Sequence, residues 1–193
     1  MASPVTLRRW LRRFGMAEQG VAAVEFALIL PIMLMLYIGM VEGSTLISMD
    51  RKVQTVSGSV GDLVARSNGT IKGNTLNDYV KVAAGIMTPF SDDDLEQVVS
   101  QVHVDADGKA TIDWSRRYVG QVLQSSGAHA AGSVYALPSE VVDILRGQGQ
   151  QYVIVTECSA DYVPLYGFAF DKAVNLYREN FFMPRFGERI VLN

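Results

Sequence analysis

From Val21 to Val41 the chain reads VAAVEFALILPIMLMLYIGMV, an apolar run whose one charged residue is Glu25. As a helix at about 1.5 Å per residue the run spans roughly 31 Å, which matches a bilayer hydrocarbon core of roughly 30 Å. A helix buried in a soluble domain keeps a polar stripe, and this one has none. The pattern therefore predicts a transmembrane helix over 21–41. Beyond it, Leu46, Met49, Val53, Val56, Val60 and Leu63 recur at alternating spacings of three and four, a heptad-like seam that continues the helix over 42–68. Gly58 and Gly61 weaken that stretch by about 1 kcal/mol each relative to alanine, and Asn68-Gly69 suits a left-handed stop. The seam is expected to bury against a sheet of the same chain rather than a neighbour's helix, because globular helices usually pack on their own domain.

Residues 69–193 alternate between shorter signals. A helix is expected over Thr75–Met87, capped by Asn74, stopped at Thr88-Pro89, with Leu76, Tyr79, Val80, Ala83 and Met87 facing a core. The valine-rich Gln97–Asp105, the turn Asp105-Ala106-Asp107-Gly108 and the alternating Ala110–Trp114 predict a hairpin in which Val102 and Val104 face Ile112 and Trp114. Residues 118–137 are rich in Gly, Ser and Ala and predict no element. Leu137-Pro138-Ser139-Glu140 opens a short helix that Gly147 closes, Gln151–Tyr162 alternates as a strand, and the tail from Phe181 to Phe186 with Ile190–Leu192 gives an aromatic edge and a last strand. The fold class is α+β: a single N-terminal transmembrane helix extended into a long helix packed on a small antiparallel sheet, with 69–193 as a small α+β domain.

At 193 residues the chain has room for one domain and an anchor. Charge is unevenly placed. The first twenty residues hold Arg8, Arg9, Arg12 and Arg13 against Glu18, so the remainder has 13 basic against 19 acidic side chains and a net of -6, where the whole chain has 17 against 20 and -3. Arginines before the span, with Glu42 and Asp50 after it, place the amino terminus in the cytoplasm and the body outside. An acidic body is unsuited to nucleic acid, whose phosphates need a clustered cationic face.

The basic start followed by an apolar run has two simple explanations. A cleaved secretory signal is disfavoured, because the run exceeds the usual 7 to 15 residues and no A-x-A-like site follows it. An uncleaved signal anchor holding a periplasmic ligand- or partner-binding domain stays open as the alternative. Glu25 separates the readings. A carboxylate inside the span costs up to roughly 2.5–3.5 kcal/mol at the bilayer centre, and the span holds no cation. A cut after Gly20 would create an α-amino group on Val21, four residues from Glu25, placing both on one helix face. Within one helix, or between neighbouring subunits, amine and carboxylate would then neutralise each other. Pro31 removes a backbone donor mid-span, as membrane helices tolerate.

The run Gly20-Val21-Ala22-Ala23-Val24-Glu25-Phe26-Ala27-Leu28, then Leu30-Pro31, then Gly39-Met40-Val41-Glu42-Gly43, resembles the start of TadE/TadG-like minor pilins of the tight-adherence (Flp) pilus, a branch of the type IV pili. Tyr162-Val163-Pro164-Leu165 and Pro184-Arg185 resemble features nearer the end of that family. The resemblance implies a pilin-like fold and a basic prepilin leader over 1–20. It also implies cleavage by a prepilin peptidase between Gly20 and Val21, with Glu25 as the carboxylate that guides docking and Phe26 and Pro31 as its motif neighbours. The implied partners are that peptidase, other major and minor pilins, the Tad secretion platform and membrane lipid, with the chain in the bacterial inner membrane and possible display in the pilus. It leaves TadE-type and TadF-type subunits as equal choices. The larger TadG-type subunits carry a von Willebrand factor-like domain for which this chain has neither the length nor a D-x-S-x-S motif.

No residue pattern asks for an enzyme, a metal or another cofactor. His103 and His129 lack H-x-x-x-H or H-E-x-x-H context, and read as a strand-surface and a loop residue. Asp92, Asp93, Asp94 and Glu96 lack the alternation and glycine of a calcium loop, and Asp105-Ala106-Asp107-Gly108 reads as a turn. Cys158, the single cysteine, has no cationic neighbour in sequence and reads as a buried, inert thiol. No G-x-S-x-G occurs.

Overall fold

The apolar run opens a single helix, α1 (Glu18–Ala65), of 48 residues with Pro31 inside it. The computed structural model describes residues 18–125, 129–146, 151–165, 167 and 172–193; the leader's arginines and the expected stop at Gly147 lie outside them. The described residues gather into two compact units. One holds α1 as far as Ser44 with Pro164, Leu165 and Gly167, and the other holds the described residues of Thr45–Val163 and Lys172–Asn193. In the first unit every residue of α1 from Gly20 to Tyr37 is exposed, and shielding begins at Ile38.

The second unit is built on the rest of α1. Met49, Val53, Val56, Val60 and Val64 are buried, whereas Leu63, expected on the seam, is only half-buried. A strict heptad drifts about 20° per repeat from a straight 3.6-residue helix, so a helix lying on a sheet buries Val64 where a coiled coil would bury Leu63. The seam shares one core with Ile154, Cys158, Ala160 and Leu176, which settles the choice in favour of packing on its own sheet. Polar groups bind the contact as well. Ser57 Oγ donates to the Thr156 carbonyl at 2.9 Å and Thr156 Oγ1 donates to the Ser57 carbonyl at 2.9 Å. Asn180 Nδ2 donates to Ser57 Oγ at 2.9 Å. All these groups are thereby satisfied, as buried polar atoms require.

The remaining elements follow in order: β1 (Thr70–Ile71), α2 (Gly73–Ala84), a 3-10 turn (Gly85–Met87), β2 (Glu96–Val104), β3 (Ala110–Val119), β4 (Val122–Leu123), α3 (Ser139–Leu145), β5 (Gln151–Tyr162), β6 (Val174–Phe182) and β7 (Val191–Leu192). Five strands form an antiparallel sheet in the order β4-β3-β2-β5-β6, and β1 pairs with β7 in parallel. The fold is therefore α+β, a long apolar helix with an antiparallel sheet, as the sequence pattern predicts.

Several details differ from expectation. Lys72, not Asn74, stands at the N-cap of α2, with extended backbone and no side-chain cap. In the hairpin, Asp105 Oδ1 accepts the Asp107 and Lys109 N–H groups, and Gly108 adopts φ +86. The register then shifts at Gln101/Val102, so Ile112 opposes Val102 while Trp114 opposes Gln101, and Val104 opposes Ala110. The extra residue, Asp113, turns the following side chains to the other face. Ile112 consequently joins a second core with Val102, Val104, Leu145, Val153 and Val155. Trp114 joins the helix-side core and donates its indole N–H to the Ile190 carbonyl at 2.8 Å. Within 118–137, where no element is predicted, β3 runs to Val119, β4 follows, and Val134 bridges to Thr111.

Tyr118 ties β3 to α2. It is buried, its hydroxyl donates to Asn77 Oδ1 at 2.8 Å, and burial pushes its pKa from 10.0 to about 12. The folded chain thus holds this proton more tightly than the unfolded chain, so its contribution is full below pH 10 and is lost as pH rises towards 12. The unfolding midpoint should fall across that window, and Tyr118→Phe should flatten the fall. An equal slope in the two proteins would show that Tyr118 does not cause it.

Candidate membrane-anchoring and docking segment

Gly20, Val21, Glu25, Phe26 and Pro31 all lie on the fully exposed stretch of α1. Val21 and Glu25 are one helical turn apart on the same face, about 6 Å along the axis. Phe26 is 60 % exposed, which in water would leave a phenyl ring unburied. A methyl group added at Gly20 would meet nothing within 4 Å, so packing in the chain does not require glycine there. Arg51 is the first basic residue of the described chain. A cation for Glu25 must therefore come from the leader, from a new terminus at Val21, or from another molecule. Length and apolar surface together make this helix fit a single-pass membrane anchor.

Glu42 carries more than the sequence suggested. Read only as an acid following the span, it is 1 % exposed, and its Oε1 accepts the Gly167 N–H at 3.0 Å. Gly167 has φ +65, a left-handed backbone that glycine adopts without strain. The available sequence signal was the placing of Glu42 between Gly39 and Gly43; its partner, 125 positions away, gives no local sign.

On the sheet face away from α1, His129 lies 2.6 Å from Glu157, which also accepts the Tyr177 hydroxyl at 2.7 Å. Tyr135 donates to Glu179, and Glu179 stands opposite Glu157 in the β5–β6 register. Burial first, and then these carboxylates, push both tyrosines above their ordinary range. Each of these two cross-strand carboxylates thus accepts one tyrosine hydroxyl. His129, read as a plain loop residue, is half-buried here, while the His103 ring meets Tyr152 in a tilted contact at 5.2 Å between centroids. Among the described residues no three His, Cys, Asp or Glu side chains gather as a metal set. Cys158 is buried, and burial pushes its thiol to about 12, so the described geometry gives it no nucleophilic setting.

Residues 20–58 match the family model described as TadE-like protein. No curated protein and no solved structure matches the chain.

Proposed function

We propose that this chain, TadE-like over residues 20–58, is a minor pilin-type subunit of a Tad (Flp) pilus, matured by a prepilin peptidase between Gly20 and Val21. One observation carries the reading. The family match starts at Gly20, at the head of a helix whose exposed apolar surface runs to Tyr37 around a single carboxylate. Such a surface is covered by lipid while the subunit waits in the inner membrane and by other pilins' helices once it is docked. Glu25, paired with the new amine of Val21, provides a register for that docking. The arginine-rich leader keeps the amino terminus cytoplasmic and the body periplasmic. Partners are the peptidase, the Tad platform, and major and minor pilins, and the role is assembly and adhesion without catalysis.

Amino-terminal sequencing of the membrane-extracted chain tests the proposal. A start at Val21 is expected. A start at Met1 or Ala2 would overturn it and leave an anchored periplasmic domain outside any filament.

A further inference from the structure

The contact between Glu42 and Gly167 fixes the depth of a segment that has no membrane signal of its own. If α1 spans the bilayer over 21–41, Glu42 sits one residue past the hydrocarbon boundary, and each residue moves that level by only about 1.5 Å. The Gly167 N–H, hydrogen-bonded to the Glu42 carboxylate at 3.0 Å, holds Gly167 at the same level. Two residues earlier stands Leu165, a large apolar side chain that is 79 % exposed. Pro164, Leu165 and Gly167 belong to the same compact unit as the helix, so this placement holds within one body. On the helix itself, Met40 is 71 % exposed at this level.

An isolated exposed leucine is ordinary. This one is different because a hydrogen bond at Gly167, two residues on, ties it to the end of an apolar span. The same bond is one of the contacts of a carboxylate that lies close to the lipid boundary.

We propose that the turn bearing Leu165 is a second membrane contact, with Glu42 as the tether that seats Leu165 in the boundary between headgroups and acyl chains beside the end of α1. This rests on reading α1 as a membrane anchor. Its partner is the lipid surface, which takes up apolar side chains at that depth. The unit that holds the apolar part of α1 would then touch the bilayer at two points.

The test uses the full chain carrying Leu165→Cys, labelled with bimane maleimide and reconstituted in phosphatidylethanolamine–phosphatidylglycerol vesicles. Cys158 is buried and its thiol is pushed to about 12, so the native cysteine stays unlabelled at neutral pH. A parallel chain with Leu34→Cys reports the span. Nitroxide lipids labelled near the headgroup should remove most of the Leu165 emission while aqueous iodide removes little, and adding Glu42→Ala should reverse that order. Quenching by iodide instead of nitroxide at Leu165, with Leu34 quenched by lipid, would overturn the tethered contact and leave the anchor standing. Failure of lipid quenching at Leu34 would overturn the anchor reading itself.

Discussion

Cells whose only copy of this gene carries Glu25→Ala are expected to export a chain that still starts at Val21 but to lose most of their pili. On the proposed function the two steps separate, with the peptidase reading Gly20 and its flanks and Glu25 acting after the cut. Its carboxylate lies one turn from Val21 on an otherwise apolar helix, and the first basic residue of the described chain is Arg51. A hydrogen bond to a charged group is worth about 1.5–3 kcal/mol, which is roughly ten- to a hundredfold in an association constant. Glu25→Gln keeps the shape and removes the charge, so it should fail nearly as badly as alanine. Glu25→Asp shortens the reach by one methylene and should recover part of the assembly. Gly20→Lys should stop one step earlier, leaving full-length chain in the membrane and no pili. Pilus counts and the mature mass distinguish these cases, and wild-type piliation with Glu25→Gln would remove the charge from the mechanism.

The elements that could be read from the chain are those with a local physical cause. Twenty-one residues with one charge suit a helix in an apolar medium, and Gln151–Tyr162 stands out by its β-branched run Val153-Ile154-Val155-Thr156, buried because both sheet faces there are packed, one by α1 and one by α3. β6 was legible only at Phe181 and Phe182. Its earlier part carries Asn175, Arg178, Glu179 and Asn180, because an edge strand with half-exposed faces does not need an apolar alternation. β1 and β7 are two residues each and pair across 121 positions, so neither makes a pattern alone. The bulge at Asp113 reverses the facing of Trp114 without altering composition. Glu25 was legible as an unusual residue, since its charge breaks a uniform apolar background. Glu42 was not, because its role depends on a backbone N–H from Gly167, and any residue except proline supplies one.

Gly61→Val should be the most damaging single substitution in the helix–sheet contact, whereas Gly58→Ala should stabilise the body. The two glycines lie three residues apart on α1 and look alike in the sequence, where each counts only as a weak helix former. Their surroundings differ. A Cβ at Gly58 meets nothing within 4 Å, so alanine there keeps its propensity gain of about 0.5–1 kcal/mol. A Cβ at Gly61 would lie 2.3 Å from Phe182 Cε2 and 3.0 Å from Thr156 Oγ1. The half-buried Phe182 ring can swing aside, but Thr156 is buried and holds the Ser57 carbonyl at 2.9 Å. Overpacking of this kind costs about 1–3 kcal/mol, which outweighs the propensity gain. Phe182→Ala should therefore cost less in the Gly61→Val background than in the native chain, with a coupling of about 0.5–3 kcal/mol between contacting residues. Thermal unfolding of the detergent-solubilised chain, followed through its β-sheet signal, measures all four proteins of the cycle. Strictly additive effects, or a Gly61→Val chain as stable as its parent, would mean that glycine at 61 is not what lets α1 approach the sheet.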